Sequence, residues 1–477
     1  MNRRATPERP PLAEEESPSR PGPPSCHQLW WLLAASVLRF LVGTGAYLLA
    51  WRAAPSDPLP LLNSWLLTTD ATQYHVLAQR IADFWAGQSA TLSLGLPDKF
   101  LGYPVILGMV YFLLGPHPLW GLLLNSLAFL AMGLLARRLA LRLGRPPAAA
   151  LALALLVALW PVSLSYSSAL LKDSLNLLAV FLLLATFADL LTPDGREGNM
   201  VASWAGLGLL LGAYGIVVLR PECAPVVAFV TLSAIAWSAL GGLPRWWERT
   251  WRPMAAGLLV AAGIFLGINY SPVRLLPAHP LAAPAPPSRA AAAPAIQVMR
   301  AASLAWPSQL TQRVRAGLDD LWHRRWEYAT SGGVSLLPEA YLLPDKPKVW
   351  ATILGASLRN LLLYPLPWQR WPSGGDRVLI SLAITAQSLL WYALLPGLAW
   401  GLVEALRSRS TAGPPVLLWV AVVGPLLALM IVNLGTLYRI RDLALLPSLL
   451  LFSSAPYRWL WDKLLSSSGP PRGSPTG

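Results

Sequence analysis

Apolar stretches of about 20 residues recur along this chain from position 29 to position 460, each long enough to cross a hydrocarbon layer about 30 Å thick as a helix. Only 13% of the residues are charged and 55% are hydrophobic, whereas a soluble protein carries about a quarter charged residues. An ordinary cytosolic enzyme is therefore excluded. The sequence predicts an all-α, polytopic transmembrane protein of about ten spanning helices with additional amphipathic helices lying outside. The 23 Trp fit that reading, since indoles collect at the two water–lipid interfaces.

Basic residues set the topology. The first apolar run, Leu29 to Ala50, is taken to enter from the cytoplasm. The next full span, Leu119 to Leu141, returns and ends in Arg137, Arg138, Arg142 and Arg145. Short cytoplasmic loops hold excess Arg and Lys. Spans at 147–166, 170–191, 200–219, 223–243, 253–270, 377–404, 416–434 and 443–462 then place Arg245, Arg249, Arg252, Arg407, Arg409, Arg458 and Lys463 on the same side. Both termini are expected in the cytoplasm of a plasma (inner) membrane protein. Cys26 and Cys223 fall on opposite sides and are expected not to pair.

The predicted organisation is a disordered tail over 1–27, an N-terminal membrane module over 28–270 with a first outer loop at 51–118, a long outer loop at 271–376, C-terminal spans over 377–463 and a second tail at 464–477. In the first loop, Thr68 and Thr69 precede Ala71, Tyr74, Ala78, Ile81 and Trp85 at helical spacing, which predicts a capped amphipathic helix on the membrane surface. Tyr103 to Leu114 is apolar but too short to span, and is expected to be re-entrant or interfacial. The second loop opens with an Ala/Pro tract, after which Leu310, Val314, Leu318, Leu321 and Trp322 predict another amphipathic helix.

Ionisable residues near the outer ends of spans are the anomaly: Asp70, Lys172, Asp173, Arg220, Glu222, Arg439, Arg441 and Asp442. Taken singly, an Arg there snorkels to headgroups, Lys172 and Asp173 neutralise each other, and Asp70 caps a helix. Taken together, they lie at one level and point to a water-accessible outer site, because charge at membrane depth is costly and usually faces a cavity or other charges. A carboxylate can accept the proton of an attacking hydroxyl, and cations can hold a phosphate and stabilise a departing oxygen. Transfer of a sugar from a lipid phosphate uses both. The five His show no metal-ligand spacing, and the basic residues flank spans, so nucleic-acid binding is not expected.

These residues resemble the integral-membrane glycosyltransferases of the GT-C superfamily, in particular family 39, the dolichyl-phosphate-mannose protein mannosyltransferase-like group and its bacterial members that use polyprenyl-phosphate sugars. The loop TTDATQYHVLAQRIADFW is similar to that family's Asp-Glu-x-x-Tyr helix. FLGYPVILGMVYFLL is similar to its Tyr-Pro interfacial helix, and LLKDSLNLL, VVLRPECAPV and NLGTLYRIRDLALLP resemble later elements in the same order. The resemblance implies that Asp70 is the base or the acidic residue nearest it and that Asp173 is the second acid. It makes Lys172, Arg220, Arg439 and Arg441 candidates for the donor phosphate, with Tyr74, Tyr103 and Glu222 lining the pocket. Where the family has Glu after its first Asp, this chain has Ala71. Relatives include metal-dependent and metal-independent enzymes, so a divalent ion stays open. The implied reaction moves a sugar, with inversion, from a polyprenyl-phosphate donor to a lipid, glycan or protein acceptor on the outer or periplasmic face. The alternatives are a lipid-linked glycan polymerase or ligase, for which the Arg-bearing segment 300–325 speaks, and a lipid-linked oligosaccharide flippase or transporter.

Overall fold

A computed structural model describes residues 24–53, 69–89, 92, 101–161, 163–164, 170–191, 199–240, 246–270, 276, 325, 347–363, 378–407, 413–431, 437 and 440–458. Among them all regular structure is helical. The α-helices are α1 Cys26–Ala53, α2 Thr69–Trp85, α3 Gly102–Leu114, α4 Pro118–Arg142, α5 Pro147–Ala158, α6 Asp173–Leu191, α7 Asn199–Leu219, α8 Ala224–Leu240, α9 Trp246–Asn269, α10 Pro347–Leu363, α11 Val378–Arg407, α12 Gly413–Met430 and α13 Asp442–Leu449.

Five helical stretches are long and apolar enough to cross a membrane: Cys26–Leu49, Pro118–Arg142, Asp173–Leu191, Thr385–Arg407 and Gly413–Met430. Shorter apolar helices pack among them, and their outer faces carry exposed Leu, Trp, Phe and Val side chains as a lipid-facing surface requires. The protein is an all-α polytopic membrane protein.

Without a hydrophobic force between helices in lipid, close approach through small residues holds such a bundle. A Cβ on Gly212 would fall 2.8 Å from Leu183 N, and one on Gly208 would strike Thr186, so α6 and α7 run antiparallel in tight contact. Gly263 meets Leu210 and Gly267 meets Val217, which makes α9 parallel to α7. The hydroxyl of Ser36 in α1 donates to Ser126 O in α4 at 2.7 Å, and Leu32 touches Gly133, so α1 and α4 are antiparallel. This alternation gathers the N-terminal ends of α4, α6 and α8 with the C-terminal ends of α5 and α7 at one end of the bundle, termed upper below.

Local sequence explains the boundaries that matter. His117 caps α4 by accepting from Leu119 N at 3.3 Å with Pro118 at the first helical position, and Gly144, at φ 78°, turns the chain toward α5. Pro221 stops α7, since a residue before proline is pushed out of the helical region; Arg220 has φ −146° and ψ 79°. Asp173 opens α6, where a carboxylate faces the positive end of the helix dipole.

The amphipathic helix expected after Thr69 is present as α2, with Ala71, Tyr74, Ala78 and Ile81 buried against α3. The expected short helix is Gly102–Leu114. Two spans need correction. The third, expected over 147–166, breaks after Ala158 at Leu159 and Trp160, and residues 161, 163 and 164 are helical again. The last, expected as an unbroken 443–462, stops at Leu449. Its backbone then turns, with Ser453 N donating to Gly397 O at 3.0 Å and Leu451 O accepting from Arg145 Nη2 at 2.7 Å. Irregular backbone at membrane depth persists only where protein satisfies it. Within the segment expected as the outer loop 271–376 lies α10, which packs along α12 and buries Ile353, Ser357, Asn360 and Leu361. The expected helix around Leu310–Trp322 and both tails, apart from Ser25–His27 and their neighbour at 24, lie outside the described residues.

At the lower end, Asp189 takes both Arg138 Nε at 2.7 Å and Arg142 Nε at 2.8 Å, and Arg145 reaches Glu404 at 3.7 Å. The Arg cluster read from the sequence is thus tied to the bundle by two acids. Cys26, at this end, and Cys223, at the upper one, are both free.

Candidate functional site

The upper ends of α6 and α7 bring Asp173 and Arg220 together. Arg220 Nη2 donates to Asp173 Oδ1 at 2.7 Å with both side chains buried, and Lys172 beside them is buried too. A pair removed from water holds only when its geometry recovers the desolvation cost. This one meets end on, at charge-assisted distance.

On the far side, α13 opens with Arg441 and Asp442, each 2% exposed. Asp442 lies within electrostatic range of Arg441, Asp173 and Arg39, and the Trp160 indole lies in the neighbourhood of its carboxyl. Arg39 projects from the middle of α1 and is 1% exposed. Its guanidinium donates to Ala158 O, to Ser163 O at 2.8 Å and to Ser163 Oγ at 2.7 Å, with Cζ 3.5 Å from the Phe129 ring centroid. Three guanidinium groups and two carboxylates thus share one layer of an otherwise apolar bundle.

Aromatic residues of the first loop close the layer from above. Tyr103, at the start of α3, donates to Asn125 Oδ1 at 3.5 Å and lies within electrostatic range of Asp173. Tyr74 meets it edge to face, with ring centroids 5.5 Å apart. Asp70 is half-buried in the first turn of α2, one turn before Tyr74 and so on the same helix face. Two tyrosine rings therefore link the helix turn that carries Asp70 to the neighbourhood of Asp173.

Behind them, His75 Nδ1 and the Tyr111 hydroxyl are hydrogen-bonded at 2.8 Å. Burial, reinforced by the nearby His117, pulls the His75 imidazole down to about 4. Above about pH 6.5 the imidazole is neutral whether folded or unfolded; between 6.5 and 4 only the unfolded chain takes the proton, so stability falls with pH across that window. At pH 5 the loss attributable to His75 is about 2 kcal/mol. Thermal unfolding in detergent at pH 7.5 and 5.0 measures it, and His75→Gln should show a smaller difference between the two than the parent does. An equal difference would remove His75 as the cause.

Below the Asp173–Arg220 pair, α6, α7, α8 and α12 enclose a cavity of about 50 Å³. Its wall is mostly hydrocarbon, including Val180, Ile216, Val226 and Leu427, with Asn176 and Arg220 as polar members. A guanidinium and an apolar recess therefore adjoin.

The chain matches no family model, no curated protein and no solved structure. Of the residues singled out from the sequence, Lys172, Asp173, Arg220, Arg441, Tyr74 and Tyr103 lie in or beside the layer, and Asp70 stands one helical turn from Tyr74. Arg439 and the side chain of Glu222 lie outside the described residues. Among the described residues no three His, Cys, Asp or Glu side chains come together as metal ligands. Sequence reasoning missed Arg39, Trp160 and Asn125. The signal for Arg39 was present, because an ionisable residue in the middle of an apolar span marks a functional site by default.

Proposed function

We propose that this protein is an integral-membrane glycosyltransferase that moves a sugar from a polyprenyl-phosphate donor to an acceptor hydroxyl, with inversion, at the outer face of the plasma membrane. The observation that supports it most is the charge of the buried layer. Arg39, Lys172, Arg220 and Arg441 gather there with Asp173 and Asp442, all six buried. Guanidinium and ammonium groups gathered at one level are the donors that hold a phosphate, and the head of a polyprenyl phosphate at headgroup depth is a ligand of that kind. The apolar recess beneath Arg220 is consistent with a ligand whose anionic head carries hydrocarbon.

The lower end, with Arg138, Arg142 and Arg145, is assigned to the cytoplasm because basic residues stay on that side. The upper layer then faces outward, where lipid-linked sugars are used by the family that the sequence resembles. In this reading Asp70 accepts the proton of the attacking hydroxyl while Arg220 and Arg441 hold the phosphate that leaves. Arg325, from the Arg-bearing segment that speaks for a polymerase or ligase, donates to Leu429 O at 2.7 Å and so serves the C-terminal end of α12.

The test is Asp70→Asn in the full-length protein, supplied with polyprenyl-phosphate sugars and a mixed acceptor pool. Transfer should fall at least 100-fold, as loss of a general base implies, with membrane insertion and melting unchanged. Normal turnover by this variant would reassign the base, and transfer only from diphosphate-linked glycans would replace the proposed donor.

A further inference from the structure

Arg39 is the costliest side chain in the bundle to explain as packing. It interrupts the apolar run of α1 halfway along, where a methionine would fill the same space without burying a charge. Yet three of its hydrogen bonds go to one place. Ala158 is the last residue of α5, so Arg39 Nε satisfies a carbonyl that the helix leaves without an intrahelical partner. Its two terminal nitrogens take the carbonyl and hydroxyl of Ser163. Ser163 Oγ in turn donates to Trp160 O at 2.9 Å, and Leu164 N donates to the same carbonyl at 2.8 Å. Arg39 thus grips both sides of the break that carries Trp160, and the Trp160 indole lies in the neighbourhood of the Asp442 carboxyl. Trp391 of α11 closes the other edge of that indole, with centroids 6.3 Å apart at 85°.

We infer that Arg39 is a positioning residue for the buried charge layer: by fixing the α5–α6 break it sets the Trp160 indole beside Asp442, and so holds that carboxylate back from the phosphate that the surrounding guanidinium groups receive. The inference rests on the proposed anionic-lipid reading of the site, but its physical core does not need a ligand. A planar guanidinium reaches three acceptors in one plane, whereas an ammonium offers no such fork. Lysine therefore keeps the charge and loses the grip. Asp442, left without its indole neighbour, is expected to turn toward Arg441 and compete with an incoming phosphate.

The experiment uses the full-length protein in lipid nanodiscs, with undecaprenyl phosphate as the probe and 5-fluorotryptophan incorporated at position 160. Arg39→Lys and Arg39→Met should each shift and broaden the fluorine resonance of residue 160 in the absence of ligand, and should weaken undecaprenyl-phosphate binding about tenfold, the equivalent of about 1.4 kcal/mol. Trp160→Phe should weaken binding by a similar factor. Combined with Arg39→Met it should weaken binding no further, because both act on one contact. Independent, multiplying losses would show that Arg39 does not act through Trp160 and would overturn the inference, as would an unmoved resonance in Arg39→Lys. Should the Arg39 variants fail to fold, Ser163→Ala decides: it removes one acceptor, must still move the resonance, and refutes the inference if it does not. If the parent protein shows no affinity for undecaprenyl phosphate, the proposed function falls, while the ligand-free resonance still settles what Arg39 does.

Discussion

Replacing Arg220 by leucine is expected to remove polyprenyl-phosphate binding and to lower stability by about 3–5 kcal/mol, the usual consequence of leaving one member of a buried ion pair behind. The cause is specific. Asp173 lies at the buried end of α6 with Arg220 at 2.7 Å, and the Arg220 side chain is only 7% exposed, so water does not readily replace it. A double variant with leucine at both 173 and 220 should be markedly more stable than Arg220→Leu alone, since it removes the stranded charge along with its partner. Melting in detergent, measured for the parent, each single variant and the double, tests this. A double variant as unstable as Arg220→Leu would mean that packing around position 220, and not the pair, carries the effect. Binding is read separately, because the double variant regains stability without regaining its cation.

The second large effect is expected at Gly102, a position with no side chain of its own. A Cβ there would lie 2.2 Å from Val218 O and 3.0 Å from Val218 C, both backbone atoms of α7 that cannot rotate aside. Gly102→Ala must therefore push α3 away from α7, at a cost typical of overpacking, about 1–3 kcal/mol or more. Gly102 precedes Tyr103 and Val218 lies two residues before Arg220, so the displacement opens the site between its aromatic wall and its ion pair. Gly355→Ala in α10 is the matching control: its Cβ would meet nothing within 4 Å, and the helix should gain up to about 1 kcal/mol from the better helix former. A shift of the two melting temperatures in opposite directions is the expected result. If Gly102→Ala melts like the parent, α3 and α7 do not approach as closely as described.

Much of this architecture is written in the spacing of apolar residues. The runs that became α1, α4 and α6 are long enough that no other structure satisfies their backbone in lipid, and the stripe Ala71, Tyr74, Ala78, Ile81 fixed the buried face of α2. Charges at span ends pointed to Asp173, Arg220, Arg441 and Asp442 because hydropathy alone gives no reason for them there. Arg39 escaped for the opposite reason, since a window average over an apolar run absorbs a single charge. The break after Leu449 left a trace in Pro447, Ser453, Ser454 and Pro456, which interrupt the run through 443–462, but the partners that satisfy it, Arg145 and Gly397, come from remote parts of the chain. Helix α10 was passed over because its apolar stretch is short and its burial depends on α12, which the local pattern does not reveal. Convergence of side chains from α1, α5, α6, α7 and α13 is a property of the packed bundle, and one-dimensional spacing holds only its ingredients.

The interrupted last helix bears on how the protein is made. Eight residues of α13 rise about 12 Å, well short of the bilayer core, and the turn that follows is satisfied by Arg145, Gly397 and their neighbours. During synthesis this segment meets lipid with its carbonyls unsatisfied unless the earlier helices already stand in place to receive it. Insertion of the final segment is therefore expected to wait for both the α4–α5 corner and α11, and a variant lacking that corner should leave the segment stranded for quality-control proteolysis.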